Sequence, residues 1–108
     1  MQIQREEKSG ATIFHISGRL DAPNSPVVEE HVQREIALEP AKMIFDLTEV
    51  DYLSSAGLRI LLAATKRLGA GKVAIYGAAA RVMETIRMAG FDKVLEIASN
   101  EDEALGGS

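Results

Sequence analysis

The sequence predicts a single α/β domain, in which about four helices cover a mixed, mostly parallel sheet of four to five strands. Strand-like apolar segments alternate with helix-like segments along the 108 residues, and strands separated by helices pair in parallel through crossover connections. The first two strand-like segments are joined only by the turn-like triplet Lys8-Ser9-Gly10. They are therefore expected to form an antiparallel N-terminal edge pair.

Three strand-like segments lie in the first half of the chain. Residues 2–7 and 11–17 flank the turn, and the second of them, ATIFHIS, carries β-branched and aromatic residues that suit a sheet. Residues 42–47, KMIFDL, form a continuous apolar run, which is typical of a strand buried on both faces. Residues 18–25, GRLDAPNS, have the composition of a loop.

The first helix is predicted to begin at Ser25 as N-cap, with Pro26 in the first helical position. Pro40 closes the segment. Between them, apolar residues recur at helical spacing: Val28, Val32 and Ile36.

The second half of the chain continues the alternation. A helix is predicted from about Ser55 to Leu68, ended by Gly69-Ala70-Gly71, and KVAIYG, residues 72–77, reads as the next strand. Residues 80–90 form a further helix with Gly90 at its C-terminal cap and three residues facing inward: Val82, Ile86 and Ala89.

The chain is predicted to end with a short strand and a short helix. KVLEI, residues 93–97, suits the strand, and NEDEAL, residues 100–105, starts with an N-cap Asn and an acidic first turn. The terminal residues 106–108 are expected to be a flexible tail or a cloning remnant.

Composition excludes several classes of function. The net charge is −4 without a basic cluster, which argues against nucleic-acid binding. The chain has no cysteine, so it forms neither disulfides nor thiolate metal sites. The first residues contain no apolar stretch typical of a signal peptide, and no run approaches the length of a membrane span. The sequence therefore predicts a soluble, cytoplasmic protein.

Three further patterns are best interpreted as structural. GAGK, residues 69–72, lacks the P-loop glycine and the Ser/Thr after the lysine, and it lies between a helix and a strand, so a plain turn is favoured. His15 and His31 show no paired ligand spacing, and we expect both to be structural or surface residues. NEDE lacks a calcium-loop pattern. The sequence thus predicts no metal site, no cofactor and no enzymatic activity.

The stretch DYLSSAGLRIL, residues 51–61, carries the main functional candidate. It has no G-x-S-x-G elbow and no histidine placed as a base, which argues against serine catalysis. One serine is explained as the N-cap of the helix. The second lies in the first turn, where backbone N–H groups and the helix dipole favour an anion, and this position suits a phosphate acceptor.

Three aspartates lie near predicted strand ends. Asp46 ends KMIFDL, Asp21 follows the second strand, and Asp51 lies in the link to the serines. Carboxylates at the C-terminal ends of parallel strands face the usual ligand edge of an α/β sheet, but turn formation or capping explains most loop aspartates. The structural interpretation is favoured for Asp51, and both interpretations stay open for Asp21 and Asp46.

Three segments together resemble bacterial anti-sigma factor antagonists of the STAS domain family: GRLDAPNS, FDLTEVDYLSSAGLRILL and RVMETIRMAGFDKVLEI. The resemblance covers nearly the whole chain, which implies a STAS domain over 1–105. The family pattern is roughly Asp-Ser-Ser/Thr-Gly-Leu, with the first serine phosphorylated. Aligned on Gly57, that serine is Ser55, while Ser54 replaces the common Asp and Ala56 replaces the second hydroxyl.

The resemblance implies roles for further residues and partners. Asp21 matches the acidic loop residue of the family, and Asp46 matches the polar residue that ends the central strand. The implied mechanism is partner switching, in which the unphosphorylated protein binds an anti-sigma factor, a serine kinase with a histidine-kinase-like ATPase fold. Phosphorylation of Ser55 releases this partner, and a PP2C-type phosphatase resets the protein.

Two other classes of function stay open. One is a non-phosphorylated STAS scaffold subunit of a transport or sensory complex. The other is a small enzyme, which the missing base, metal set and cofactor loop make unfavourable.

The helix after the serines offers a possible docking surface. At about 100° per residue, one side is predicted to face the sheet through Leu58, Leu61, Leu62 and Leu68. Ile60 then falls on the opposite side, near Ala56, Ala63 and Arg67. This strip of small residues with one isoleucine begins beside the proposed phosphoacceptor, so we predict that a partner docks there.

Overall fold

The computed structural model describes residues 1–69 and 71–106. Of the predicted tail at 106–108, Gly107 and Ser108 lie outside this range. The elements follow one another along the chain as β1 (Gln2–Lys8), β2 (Ala11–Leu20), α1 (Ser25–Ala37), β3 (Lys42–Leu53), α2 (Ser55–Leu68), β4 (Val73–Tyr76), α3 (Ala80–Met88), a 3-10 turn (Phe91–Lys93), β5 (Glu96–Ala98) and α4 (Glu101–Ala104).

The five strands form one mixed sheet in the order β1-β2-β3-β4-β5. Strand β1 pairs antiparallel with β2, and the other three neighbouring pairs are parallel. The predicted fold class is therefore confirmed, including the antiparallel N-terminal edge pair.

The sheet carries a large core on one face and a small one on the other. On the large-core face, Phe14, Phe45 and Ile75 pack with buried residues of α1, α2 and α3. On the other face, Ile13 and Ile44 pack in a smaller cluster that extends to α4. Successive strand residues point to opposite faces, so these two clusters account for the continuous apolar run that was expected for a doubly buried strand.

Strands β2 and β3 are longer than the sequence predicts. The segment Gly18–Leu20, expected to be loop, continues β2 and pairs with the extension of β3, where Leu20 lies opposite Leu53. Register shifts interrupt this ladder between His15 and Ser17 and again between Gly18 and Arg19, as β-bulges do. The extension was missed because the buried residues of its β3 part, Val50 and Leu53, lie three positions apart, whereas strand alternation has a period of two.

Three smaller features, in α1, α3 and the last strand, also differ from the prediction. Ser25 is the first residue of α1 rather than its N-cap, which is Asn24. Ala89 is exposed rather than inward, and Met83 joins the core of α3 instead. The last strand is shifted to Glu96–Ala98, because Phe91–Lys93 form a 3-10 turn.

A buried carboxylate ties α1 to the first two strands. Glu35 is only 3 % exposed, and its oxygens accept bonds from Arg5 Nε at 2.5 Å, Arg5 Nη2 at 3.1 Å and Thr12 Oγ1 at 2.6 Å. The hydrogen bond from Arg5 is the main cause that holds the pKa of Glu35 below its ordinary value. The carboxylate is therefore charged and needs all three donors.

Replacing Thr12 with the near-isosteric valine removes one donor while keeping the shape. We expect Thr12→Val to lower the free energy of unfolding by about 1.5–3 kcal/mol, because the lost bond is to a charged group. Urea denaturation measures this. The control is Thr85→Val, since Thr85 bonds a helical carbonyl at an exposed position, and a change within about 0.5 kcal/mol is expected there. Equal losses in the two variants would contradict the role given to Thr12.

Candidate functional site

The hydroxyl of Ser54 both donates and accepts a hydrogen bond that holds the start of α2. Ser54 is the N-cap in an extended conformation, and its Oγ accepts a bond from Gly57 N at 3.3 Å. The same hydroxyl donates to the Leu20 carbonyl at 3.2 Å, and Ser54 N donates to that carbonyl at 3.0 Å. Ser54 thus joins the helix start to the end of β2.

Ser55 is the first residue of α2 and is exposed. Among residues 1–69 and 71–106, no hydrogen bond engages its hydroxyl, in contrast to Ser54. The first N–H groups of a helix have no intrahelical acceptor, and the dipole there favours negative charge. The two adjacent serines therefore differ in kind, because one is a structural cap and the other presents a free hydroxyl at a position that stabilises an anion.

Gly57 allows α2 to approach the ends of β2 and β3 closely. A Cβ at this position would lie 2.7 Å from Leu53 Cδ1, 2.8 Å from Leu20 Cγ and 3.0 Å from the Leu20 carbonyl oxygen. The third of these contacts is with backbone, which cannot rotate away. Space, rather than an unusual backbone angle, requires glycine here.

Asp21 lies at the same end of the sheet, directly after β2. Its carboxylate accepts a bond from Asn24 N at 3.2 Å and contacts Arg19 Nε at 3.4 Å. Its carbonyl accepts the Ser25 hydroxyl at 2.7 Å. Asp21 therefore shapes the turn into α1, and it directly follows Leu20, whose carbonyl bonds Ser54.

Asp46 does not lie beside Ser55, contrary to the prediction. It lies within β3, paired with His15 on β2 and Tyr76 on β4. The five residue steps from His15 to Leu20 along β2 correspond to about 16 Å. Since β3 continues to Leu53, the apolar run that seemed to end at Asp46 is only its first part. Asp51 likewise lies in this strand rather than in a link.

The carboxylate of Asp46 is held by polar partners of its own. Asp46 Oδ1 accepts bonds from Thr48 N, at 3.0 Å, and from the Thr48 hydroxyl, while Oδ2 lies 2.6 Å from His15 Nδ1. Burial alone would raise the pKa of Asp46, but these hydrogen bonds outweigh it and the pKa is lowered. The group is therefore ionised and belongs to a different polar cluster.

The prediction that Ile60 lies on the exposed side of α2 is also wrong. Ile60 is 4 % exposed and belongs to the main core together with Val28 and Val32 of α1. Helix α2 packs against α1 as well as against the sheet, so its apolar stripe is wider than a single sheet-facing side. Leu62, expected to face inward, is only half-buried.

The outer face of α2 is instead small and basic. It consists of the exposed residues Ser55, Arg59, Ala63, Lys66 and Arg67, with the half-buried Ala56 at its margin. Near the same helix start, the Arg19 guanidinium lies 4.4 Å from the centre of the Tyr52 ring. Arg59 and Arg19 were not predicted to lie at this site, although an apolar stripe that includes Gly57, Ile60 and Ala64 places Arg59 on the outer face.

The chain turns between α2 and β4, as predicted for GAGK. Gly69 ends α2 and Gly71 precedes β4 in a turn, both with positive φ angles, while Ala70 between them lies outside the described residues.

In the part of the chain that the structure describes, no helix has both the length and the apolarity that a membrane crossing requires.

Comparison with known proteins points to one family. Residues 2–104 match the profile of the STAS domain. The anti-sigma-F factor antagonist RsfB of Mycobacterium tuberculosis is 28% identical over 102 residues, which span 94% of this chain and 84% of RsfB. The crystal structure of an anti-sigma factor antagonist from Mycobacterium paratuberculosis superposes with a TM-score of 0.90 at 26% identity, covering 97% of this chain and 91% of that one.

A more distant structure shares the fold. The Bacillus cell fate determinant SpoIIAA in its phosphorylated form superposes with a TM-score of 0.73 at 15% identity, covering 97% of each chain. At this identity the likeness concerns the fold alone.

We expect Gly57→Ala to destabilise the domain, although alanine is the better helix former by about 1 kcal/mol. The added methyl group meets Leu53, Leu20 and the Leu20 carbonyl, and overpacking of this kind costs about 1–3 kcal/mol. Thermal or urea unfolding measures the change. In the control Ala63→Gly, at an exposed helical position, the loss should be about 1 kcal/mol from propensity alone. A Gly57→Ala protein as stable as the parent would contradict the close approach.

Proposed function

The chain belongs to the STAS domain family, and from that premise we propose that it is an anti-sigma factor antagonist that works by partner switching rather than by catalysis. Relatives with this function by name, such as RsfB, span most of the chain. The sigma factors that such a protein would release act with RNA polymerase, so its place of action would be the cytoplasm.

The observation that carries this proposal is the different environment of the two serines. Ser54 is bonded to Leu20 and Gly57, so phosphorylating it would break the helix cap. Ser55 is exposed at the first helical position and can accept a phosphate without losing a contact. We therefore assign Ser55 as the phosphoacceptor.

The partner in this proposal is an anti-sigma factor that is also a serine kinase with a histidine-kinase-like ATPase fold. It would bind the unphosphorylated protein over the outer face of α2 and so release its sigma factor. Three of the five residues of that face are cationic and none is acidic, so the complementary surface of the partner would be acidic or polar. Ala56, Ala63 and Arg67 remain contact candidates, and Arg59 takes the place of the buried Ile60.

Phosphorylation would act on the interface and not on the fold. A phosphate adds nearly two negative charges, and an anion at a helix N-terminus is favoured by roughly 0.3–1 kcal/mol. Arg59 follows Ser55 by four residues, a spacing at which opposite charges on a helix attract. The helix thus has reason to persist when Ser55 is modified.

Within the complex, the same phosphate would meet a surface that fits a neutral hydroxyl. Burying an unpaired charge costs several kcal/mol, and a ten-thousandfold loss of affinity corresponds to about 5.5 kcal/mol. The phosphate would also form a salt bridge with Arg59, which the partner would otherwise contact. Release follows, and a PP2C-type phosphatase would restore the binding form. Asp21, at the same end of the sheet, would contact the partner near the acceptor.

We expect the cognate kinase and ATP to phosphorylate Ser55 and not Ser54. Phosphopeptide mapping identifies the modified residue, and Ser55→Ala should abolish incorporation. The matched control is Ser54→Ala, which loses the helix cap and about 0.5–2 kcal/mol of stability but keeps the acceptor. Phosphate found on Ser54 alone would refute the assignment, and no phosphate on either serine would favour a scaffold role.

We expect Arg59→Glu to weaken binding of the unphosphorylated protein to the anti-sigma factor at least tenfold, since it reverses a charge on the outer face of α2. Isothermal titration calorimetry measures this, with circular dichroism to verify folding. The control Arg87→Glu makes the same change at an exposed position of α3 and should bind like the parent. If the two variants bind equally, the outer face of α2 is not the interface.

A further inference from the structure

A cluster of ionisable side chains lies on the sheet face opposite α1, α2 and α3. Ile13, Ile44 and Ala74 lie in the small core on that face. Two residues further along the same three strands come His15, Asp46 and Tyr76, which strand alternation places on the same face. Glu6 of β1 and Glu101 of α4 complete the cluster, which lies apart from the start of α2.

The imidazole of His15 lies between two carboxylates. Its Nδ1 is 2.6 Å from Asp46 Oδ2, and its Nε2 is 2.7 Å from Glu6 Oε1. Ligand atoms of Glu6, His15 and Glu101 all lie within 4.8 Å of one another. The Tyr76 hydroxyl lies 3.4 Å from Glu101 Oε1, and the Lys8 ammonium lies 2.7 Å from Glu101 Oε2.

We propose that Glu6, His15 and Glu101 bind a divalent transition-metal ion of the Zn²⁺ type, with Asp46 as the residue that orients His15. A metal-binding histidine almost always donates its other ring N–H to a carboxylate or carbonyl, which fixes the tautomer. The Nδ1–H to Asp46 contact meets this requirement and leaves Nε2, which lies 2.7 Å from Glu6 Oε1, as the ring nitrogen available to the ion. Imidazole nitrogen and carboxylate oxygen are both donor types that bind zinc in proteins.

Metal binding would require only small shifts of the ligand side chains. Ligands at about 2.0–2.2 Å in a tetrahedral site lie about 3.3 Å apart. The present separations range from 2.7 Å to less than 4.8 Å, on both sides of that value. Glu6 is an exposed, long side chain, so its carboxylate can shift by the distance required.

The charge of the cluster suits a dication. Glu6, Asp46 and Glu101 contribute three negative charges, and Lys8 contributes one positive charge. With a neutral imidazole, the sum is two negative charges, which the ion neutralises. The metal takes the position of the Nε2 proton, and any proton bound there is released on binding.

The proposed ion would join the two ends of the chain. Glu6 and His15 belong to the N-terminal hairpin, whereas Glu101 is the first residue of α4. Helix α4 has only four residues and contributes only Ala104 to the small core on this face. A ligand from α4 would therefore hold it on the sheet, and binding should stabilise the folded state as a whole.

Zinc binding to the full chain tests this proposal, after removal of bound metal with EDTA and dialysis. Calorimetric titration with ZnCl₂ should give one site per chain, and Tm should rise by about 10 °C at 100 times the Kd. His15→Gln should weaken binding at least tenfold. The control is His31→Gln, because His31 is the other histidine, lies on α1, hydrogen-bonds the Val27 carbonyl and makes a T-shaped contact with the Phe14 ring. This variant should bind zinc like the parent.

Two further variants keep the test decisive if His15→Gln does not fold. Glu101→Gln removes a ligand at a half-buried helix start and should also weaken binding at least tenfold, while Asp46→Asn should weaken it about 10- to 100-fold through the orientation of His15. NMR should show the His15 ring signals, and not those of His31, shifting with zinc. The proposal is overturned if the parent does not bind zinc below about 100 µM, or if His15 and His31 variants lose affinity equally.

Discussion

The packing of α2 onto the ends of β2 and β3 is the constraint on which the rest of the site depends. The Leu20 carbonyl accepts both the backbone N–H and the hydroxyl of Ser54, and Gly57 lets the helix backbone approach Leu20 and Leu53 to a distance that a methyl group would prevent. These contacts exist only because both strands continue to this point. The long strand extensions therefore position the helix start, and the helix start positions the exposed serine.

This arrangement leaves the stability of the helix start to one serine and frees its neighbour for the proposed phosphorylation. Ser54 supplies the cap, so the hydroxyl of Ser55 is not needed by the fold. A family pattern with Asp at position 54 would place a carboxylate at the cap, and serine retains the acceptor for Gly57 N without the charge. A phosphate on Ser55 would consequently meet less negative charge from its own neighbour, which fits a switch that acts by charge on a partner rather than by melting the helix.

The mixed, mostly parallel sheet and the bounds of α2 were predictable because they follow from local patterns. Alternation of apolar segments defined the parallel crossovers, and the Ser-Ser start with the glycine end defined the helix. The errors arose where tertiary contacts decide. Ile60 is buried because α1 covers a second side of α2. The spacing of apolar residues within α2 alone does not reveal that a second helix packs there. Asp46 was placed at a strand end because polar residues follow it, although pairing with β2 carries β3 seven residues further.

The same limitation explains why the cluster of ionisable side chains around His15 was not predicted. Metal-ligand spacing in a sequence detects ligands on one helix or loop, whereas Glu6, His15 and Glu101 come from three elements and meet only across the sheet. The resulting cluster and the start of α2 both depend on β2, one at His15 and the other at Leu20. Two register shifts lie between these positions, and bulges interrupt the ladder that would transmit a displacement along the strand. An ion at His15 should therefore stabilise the hairpin and α4 without displacing Ser55.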